Sequence, residues 1–202
     1  MDSLELKYLY DDNYFINIVA GHNEFKQGKI NNDKKYYFNL IDVKNKSVLD
    51  VGFGRGEILK LAELNDASMI VGIDYSESAY NIARNSICSN RIKLYNLNIV
   101  DIDKITQTNF NCIYMIDILE HVNNEEISIF LNKARKKFTK DCVLISATPL
   151  DIRRGDYKGM HFNQYNYKRL KQLFLPMFKT ITIKVIKGEY ICICKDIKNE
   201  KN

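Results

Sequence analysis

The sequence predicts a doubly wound α/β domain, a mostly parallel sheet covered by helices, with an antiparallel hairpin strand at its C-terminal end. Three observations predict it. From residue 46 onward, short apolar runs alternate with helical patterns. The runs are apolar on both faces, as strands buried under helices on both sides must be. The last two β-rich runs, "KTITIKVIKG" (179–188) and "EYICICKD" (189–196), are separated by little more than Lys187 and Gly188. That is too short for a helical crossover, so they form a hairpin and one strand is reversed.

The elements follow in order. "KSVLDVG" (46–52) is the first strand and "EILKLAEL" (57–64) its helix; "MIVGID" (69–74) is the second strand and "SESAYNIARN" (76–85) its helix. "RIKLYNLNI" (91–99) is the third strand, followed by a short polar link. "CIYMID" (112–117) is the fourth, with "NEEISIFLNKARKKF" (124–138) as its helix. "CVLISATP" (142–149) is the fifth, followed by a loop and a helix over "YKRLKQLF" (167–174), capped by Asn166 or Asn163. Residues 1–45, rich in Tyr, Phe, Asn and Lys, read as an N-terminal extension or lid within the same domain. Residues 46–196 form the ligand-binding domain, and 197–202 a disordered tail.

A chain of 202 residues, 46% hydrophobic, buries one core. No run approaches the roughly eighteen apolar residues of a membrane span. The start, with Asp2, Glu5, Asp11 and Asp12, lacks the basic and apolar regions of a signal peptide, so a cytoplasmic protein is expected. Five cysteines (Cys88, Cys112, Cys142, Cys192, Cys194) lie without metal-site spacing, mostly in apolar runs, and read as buried packing rather than disulfides. The net charge of +5 could suggest nucleic acid. However, lysine far outnumbers arginine and Asn and Ile are abundant, as an AT-rich genome produces. The basic run of Lys133, Arg135, Lys136, Lys137 and Lys140 reads as the solvated end of a helix.

The chemistry is concentrated at strand ends. "VLDVGFGRGEILKLA" (48–62) places Gly52, Gly54 and Gly56 at a βα turn, the position where open α/β sheets bind ligands. Its pattern is D-x-G-x-G-x-G from Asp50. The dinucleotide fingerprint needs its third glycine one residue later, at Glu57, and no G-K-[ST] follows as a phosphate loop requires. Companions lie at the next strand ends. Asp74 can accept both hydroxyls of a ribose. Asn98 beside Ile99 can bond and cover a base. Asp117 is followed by Glu120 and His121.

With these residues, the sequence resembles the class I S-adenosylmethionine-dependent methyltransferases, from about residue 46 to residue 194. "VLDVGFGRGEILKLA" is similar to that family's first motif, with Phe53 where Cys is common, and "VGIDYSESAYNIAR" to the second. "LNIVDI" resembles the adenine-side motif, with Asn98 for the commoner Asp, and "YMIDILEHV" the D-x-L-E-H motif of the small-molecule branch. The resemblance implies S-adenosylmethionine as cofactor. It implies that Asp50, Gly52, Phe53, Gly54 and Gly56 hold the methionine part, Asp74 the ribose, and Tyr75, Asn98 and Ile99 the adenine. Asp117 and Leu119 would lie near the sulfonium.

Methyl transfer needs an aligned acceptor and, for a hydroxyl, a base. Of the three histidines, His22 reads as structural, and the base is His121 or His161, between which the sequence does not choose. Tyr10 and Tyr14, with Tyr8 and Phe15, are placed on a lid over the acceptor, and Arg153 and Arg154 could bind an anionic group on it. No metal is expected, because Asp117, Glu120 and His121 lack the partner spacing of a dedicated site. The expected function is methyl transfer to oxygen or nitrogen of a small molecule, such as a sugar or natural-product intermediate. The alternatives are an RNA or nucleobase methyltransferase and a non-catalytic cofactor-binding regulator. "DILE" stands where base-directed enzymes carry [N/D]-P-P-[Y/F], which argues against a nucleic acid partner.

Overall fold

The structure is a computed structural model that describes residues 7–87, 89–153, 156–161 and 163–198. Seven strands form one sheet: β1 (Ser47–Val51), β2 (Met69–Asp74), β3 (Ile92–Asn96), β4 (Phe110–Ile116), β5 (Phe138–Pro149), β6 (Phe178–Ile186) and β7 (Glu189–Ile197). Their spatial order is β3-β2-β1-β4-β5-β7-β6. All pairings from β3 to β5 are parallel, and β7 runs antiparallel to both β5 and β6. The expected hairpin and the single reversed strand are both present.

Helices α1 (His22–Lys26) and α2 (Asn32–Phe38) belong to the extension, which also holds a π-helical turn at Tyr14–Ile18. Helices α3 (Glu57–Leu64), α4 (Glu77–Ser86), α5 (Asn124–Ala134) and α6 (Tyr167–Phe174) cover the sheet. Successive strand residues face opposite layers. Val48 therefore packs with the extension, α3 and α4, whereas Leu49 and Val51 pack with α5 and α6. Extension rings Phe15, Phe25, Tyr37 and Phe38 are buried in the first layer. Phe38 stacks on Tyr114 at 5.6 Å, and the Tyr114 hydroxyl donates to the Phe38 carbonyl at 2.9 Å.

Four local readings need correction. The helix pattern after the fourth strand reads through Phe138, but α5 ends at Ala134, a 3-10 turn follows, and Phe138 opens β5 opposite Phe110. The polar link after β3 is a 3-10 helix, Ile99–Lys104, that buries Ile99 and Ile102 and is capped by Asn98, whose side chain accepts from the Val100 N–H at 3.1 Å. Asn166, not Asn163, caps α6; Asn163 instead donates to the Val122 carbonyl. The expected tail from residue 197 begins too early, because Ile197 closes β7 and the Lys198 N–H donates to the Met177 carbonyl at 2.8 Å. Residues 199–202 lie outside the described residues, as does Cys88. Cys112, Cys142, Cys192 and Cys194 are free and buried, and no helix among the described residues is long and apolar enough to cross a membrane.

The chain order of the sheet reverses between β1 and β4. Both strands end beside the glycine turn, and this crevice is where such a sheet receives a ligand.

Candidate cofactor and acceptor site

A cavity of about 520 Å3 opens at that crevice. On one side lie Gly52, Phe53 and Gly54 of the glycine turn, then Asp74 and Tyr75 after β2, Asn98 and Ile99 after β3, and Asp117 after β4. Tyr10 and Tyr14 of the extension, with His121 and His161, form the other side.

The glycines serve different ends. Gly52 has φ +74°, and a Cβ there would come within 2.6 Å of Ile118 Cδ1. Gly56, at φ +93° before α3, would meet Ile87 Cδ1 at 2.6 Å. These two are pressed by the protein's own side chains, so Gly56 does not line the cavity. Gly54 differs, because its Cβ would stand in the gap toward the Phe15 ring, 3.7 Å away, and its N–H donates to Asp74 Oδ2 at 2.9 Å. The Ser76 N–H donates to Asp74 Oδ1 at 2.9 Å. Burial pushes the Asp74 carboxyl up to about 6, and these N–H groups oppose the rise.

Three further expected residues fall outside the cavity lining. Asp50 is buried behind the turn with Oδ2 lacking a protein partner, and burial pushes its carboxyl up to about 8 against the pull of Lys34. Leu119 is packed in the core because the 3-10 turn Leu119–His121 sends it inward, and Ile118 lines the cavity in its place. Arg153 is 87% exposed in its side chain and held by Asp151 at 2.7 Å, so it does not reach the cavity. Arg154 lies outside the described residues. Asn98 reaches the cavity with its side chain already engaged, accepting from Val100 and donating to Glu126 Oε1 at 3.3 Å.

Sequence reading missed two lining residues that connect the extension to the sheet. Lys34 of α2 donates to Asp117 Oδ2 at 2.6 Å. Arg55, inside the glycine turn, donates to the carbonyls of Phe15 (3.2 Å), Val19 (2.8 Å) and Ala20 (2.7 Å), and pairs with Glu57 at 2.7 Å. A charged residue inside a glycine turn was a usable signal for Arg55; nothing local marks Lys34. His22, read as structural, is buried in the extension with neither ring nitrogen bonded.

The acceptor side centres on two imidazoles whose ring centroids are 4.5 Å apart. His121 Nδ1 lies 2.6 Å from the Tyr10 hydroxyl and 3.2 Å from the Met160 carbonyl. His161 Nδ1 lies 2.7 Å from the Ile152 carbonyl. The carbonyl beside His161 only accepts, so that Nδ1 carries the proton and its Nε2 is bare when the ring is neutral, whereas His121 Nδ1 faces both a hydroxyl and a carbonyl and its tautomer follows whichever of the two it bonds. Burial and the neighbouring His161 push His121 down to about 4, which keeps it neutral at pH 7. Glu120 is buried beside it, with Oε2 accepting from the Thr148 hydroxyl at 2.9 Å. Burial and Asp117 push the Glu120 carboxyl up to about 8.

Residues 42–180 match the family model described as a methyltransferase domain, which is more than half of the chain. The chain belongs to that family, in the class I S-adenosylmethionine-dependent group that its motifs resemble. It is 34% identical over 90 residues to the ubiquinone biosynthesis O-methyltransferase of Coxiella burnetii, a stretch covering 44% of this chain and 38% of that protein. The matched region thus spans less than half of that relative. Among solved structures, it is similar to a SAM-dependent methyltransferase from Archaeoglobus fulgidus (TM-score 0.66, 14% identity, 81% of this chain and 93% of that one). It is also similar to the pyocyanin biosynthetic protein PhzM (TM-score 0.67, 14% identity, 92% of this chain and 62% of that one). At these identities the two structures speak for the fold alone.

Proposed function

We propose that the protein methylates an oxygen of a small molecule, with S-adenosylmethionine as methyl donor. The observation that carries this reading is one cavity lined by carboxylates, a side-chain-free glycine and two adjacent imidazoles. The cofactor fits the side of the glycine turn. Gly54 leaves open a space that a Cβ would enter, and Asp74, with one backbone N–H on each oxygen, retains lone pairs for hydroxyl groups. Asp74 holds the ribose, Tyr75 and Ile99 cover the adenine, and Asp117 with Lys34 meets the ammonium and carboxylate of the methionine part. When bound, the cofactor supplies a methyl on a sulfonium whose departure leaves a neutral thioether.

The chain's own task is positioning and proton handling. Tyr10 and Tyr14 close over the acceptor and exclude water. A bare Nε2 of His121 or His161 accepts a hydrogen bond from the acceptor hydroxyl and takes its proton. With His121 held neutral down to about pH 4, it is a weak base that orients the acceptor. Oxygen is favoured over nitrogen by the O-methyltransferase relative. A cytoplasmic location accords with the four free buried thiols.

Titration calorimetry with S-adenosylmethionine, S-adenosylhomocysteine and NAD tests the cofactor. The two S-adenosyl compounds bind with micromolar affinity, NAD does not, and Asp74→Ala weakens binding at least tenfold. Absence of S-adenosyl binding to folded protein at millimolar ligand refutes the reading.

A further inference from the structure

One group of residues at the acceptor end was not expected to act together. The expectation of no metal rested on Asp117, Glu120 and His121 lacking the partner spacing of a dedicated site. The fold supplies a partner, because the loop after β5 carries His161 onto the turn that holds Glu120 and His121. Glu120, His121 and His161 each offer one ligand atom, and these atoms lie within 4.8 Å of one another. At that spacing a central point lies within about 2.8 Å of all three, so shifts of less than about 1 Å reach the usual 2.0–2.2 Å of nitrogen and carboxylate ligands.

We propose that Glu120, His121 and His161 form a binding site for a first-row divalent transition cation, open toward the acceptor cavity.

Three features beyond proximity support the assignment. Each ligand is oriented by an outer partner that occupies its other polar atom. The Tyr10 hydroxyl and the Met160 carbonyl hold His121 Nδ1, the Ile152 carbonyl takes His161 Nδ1, and the Thr148 hydroxyl takes Glu120 Oε2. Nε2 is thereby the ring nitrogen left available on both imidazoles, an arrangement typical of ligands around a metal. Second, His121 Nε2 and Glu120 Oε1 stand 3.9 Å apart. That is too far for a good hydrogen bond and close to the separation of two ligands on one ion. Third, a cation relieves the unfavourable burial of Glu120, which has Asp117 as a like-charged neighbour.

The ligand set selects the ion. Two imidazoles and one carboxylate favour Zn2+, Co2+, Fe2+ or Mn2+ over Mg2+ and Ca2+, which prefer all-oxygen sites. Three protein ligands leave at least one position open. His121, His161 and Glu120 all line the cavity, so the open position faces the acceptor. In that position an acceptor hydroxyl would be made more acidic by the ion and give its proton to solvent, and with both Nε2 atoms then serving as ligands this replaces proton transfer to an imidazole. This role rests on the methyltransferase reading above, whereas metal binding does not.

The test uses the full chain without a histidine tag, stripped with chelator and confirmed folded by circular dichroism. Co2+ is titrated while visible absorption is recorded, and Zn2+ and Mg2+ are titrated calorimetrically. One equivalent of Co2+ or Zn2+ is expected to bind with micromolar or tighter affinity, with no Mg2+ binding at millimolar concentration. Glu120→Gln and His161→Asn should each weaken Co2+ and Zn2+ at least tenfold. S-adenosylmethionine affinity is measured on the same samples, so that failure of the metal site and failure of the cofactor reading are read separately. Substoichiometric binding to the folded wild-type chain overturns the proposal, as does binding that neither variant weakens.

Discussion

The cofactor wall of the cavity is drawn from strand ends between residues 52 and 117, whereas the acceptor wall joins Tyr10 to His121 and His161. The first wall is made by backbone geometry. A glycine turn, a carboxylate bonded to N–H groups and a capping asparagine are each set within a few residues of a strand. The second is made by side chains from three distant segments, held by carbonyls and by one another. A wall of the first kind follows from local sequence, and one of the second kind exists only after the extension and the loop after β5 have docked.

That contrast can be broken or sharpened by substitution. The largest effect is expected at Asp50, whose buried carboxyl has no partner for Oδ2. Its folded pKa of about 8 lies above the unfolded value. Its contribution to stability is therefore fully present below pH 4 and is lost as pH rises through 8. Asp50→Asn should raise the thermal midpoint of the cofactor-free protein by roughly several degrees at pH 8.5. The gain should shrink toward pH 4, as followed by melting across that range.

Arg55→Met comes next. It removes three bonds to extension carbonyls and leaves Glu57 buried without its cation. A loss of about 3 kcal/mol is expected. Amide exchange should accelerate selectively over residues 14–20, and equal acceleration across the sheet would show that Arg55 does not tether the extension.

The glycine pair separates packing from binding within the cofactor wall. Gly52→Ala forces a Cβ against Ile118 at positive φ and should cost about 2 kcal/mol of stability in denaturant titrations. Gly54→Ala should cost about 1 kcal/mol through its own positive φ of +55°. Its main expected effect is reduced S-adenosylmethionine affinity. A larger stability loss at Gly54 than at Gly52 would reverse the roles assigned to them.

The smallest effect belongs to the acceptor wall. Tyr10→Phe removes one hydrogen bond to His121, worth about 1 kcal/mol. Cofactor affinity should be unchanged while turnover of an accepted substrate falls several-fold. A fall in cofactor affinity instead would place Tyr10 on the other wall.

Much of the fold was legible because parallel strands buried on both faces leave unbroken apolar runs, and "MIVGID" and "CIYMID" were located to within two residues. Phe138 was misread because a phenylalanine at the end of a helical pattern satisfies both periodicities, and only its ladder with Phe110 decides between them. Leu119 was correctly placed along the chain but does not line the cavity. A 3-10 turn of three residues is too short to show a periodicity, so which side chain enters the core could not be read. Arg153 had no marker separating a cavity cation from one satisfied by the neighbouring Asp151.

The sequence by itself determined the strands, the reversed last strand and the position of the glycine turn and strand-end carboxylates, because strand periodicity and glycine geometry are encoded within short windows. Tertiary structure alone decided that Arg55 and Lys34 fasten the extension to the sheet, and that Glu120, His121 and His161 meet. Those contacts join residues tens of positions apart, and their partners are fixed by packing rather than by any local pattern.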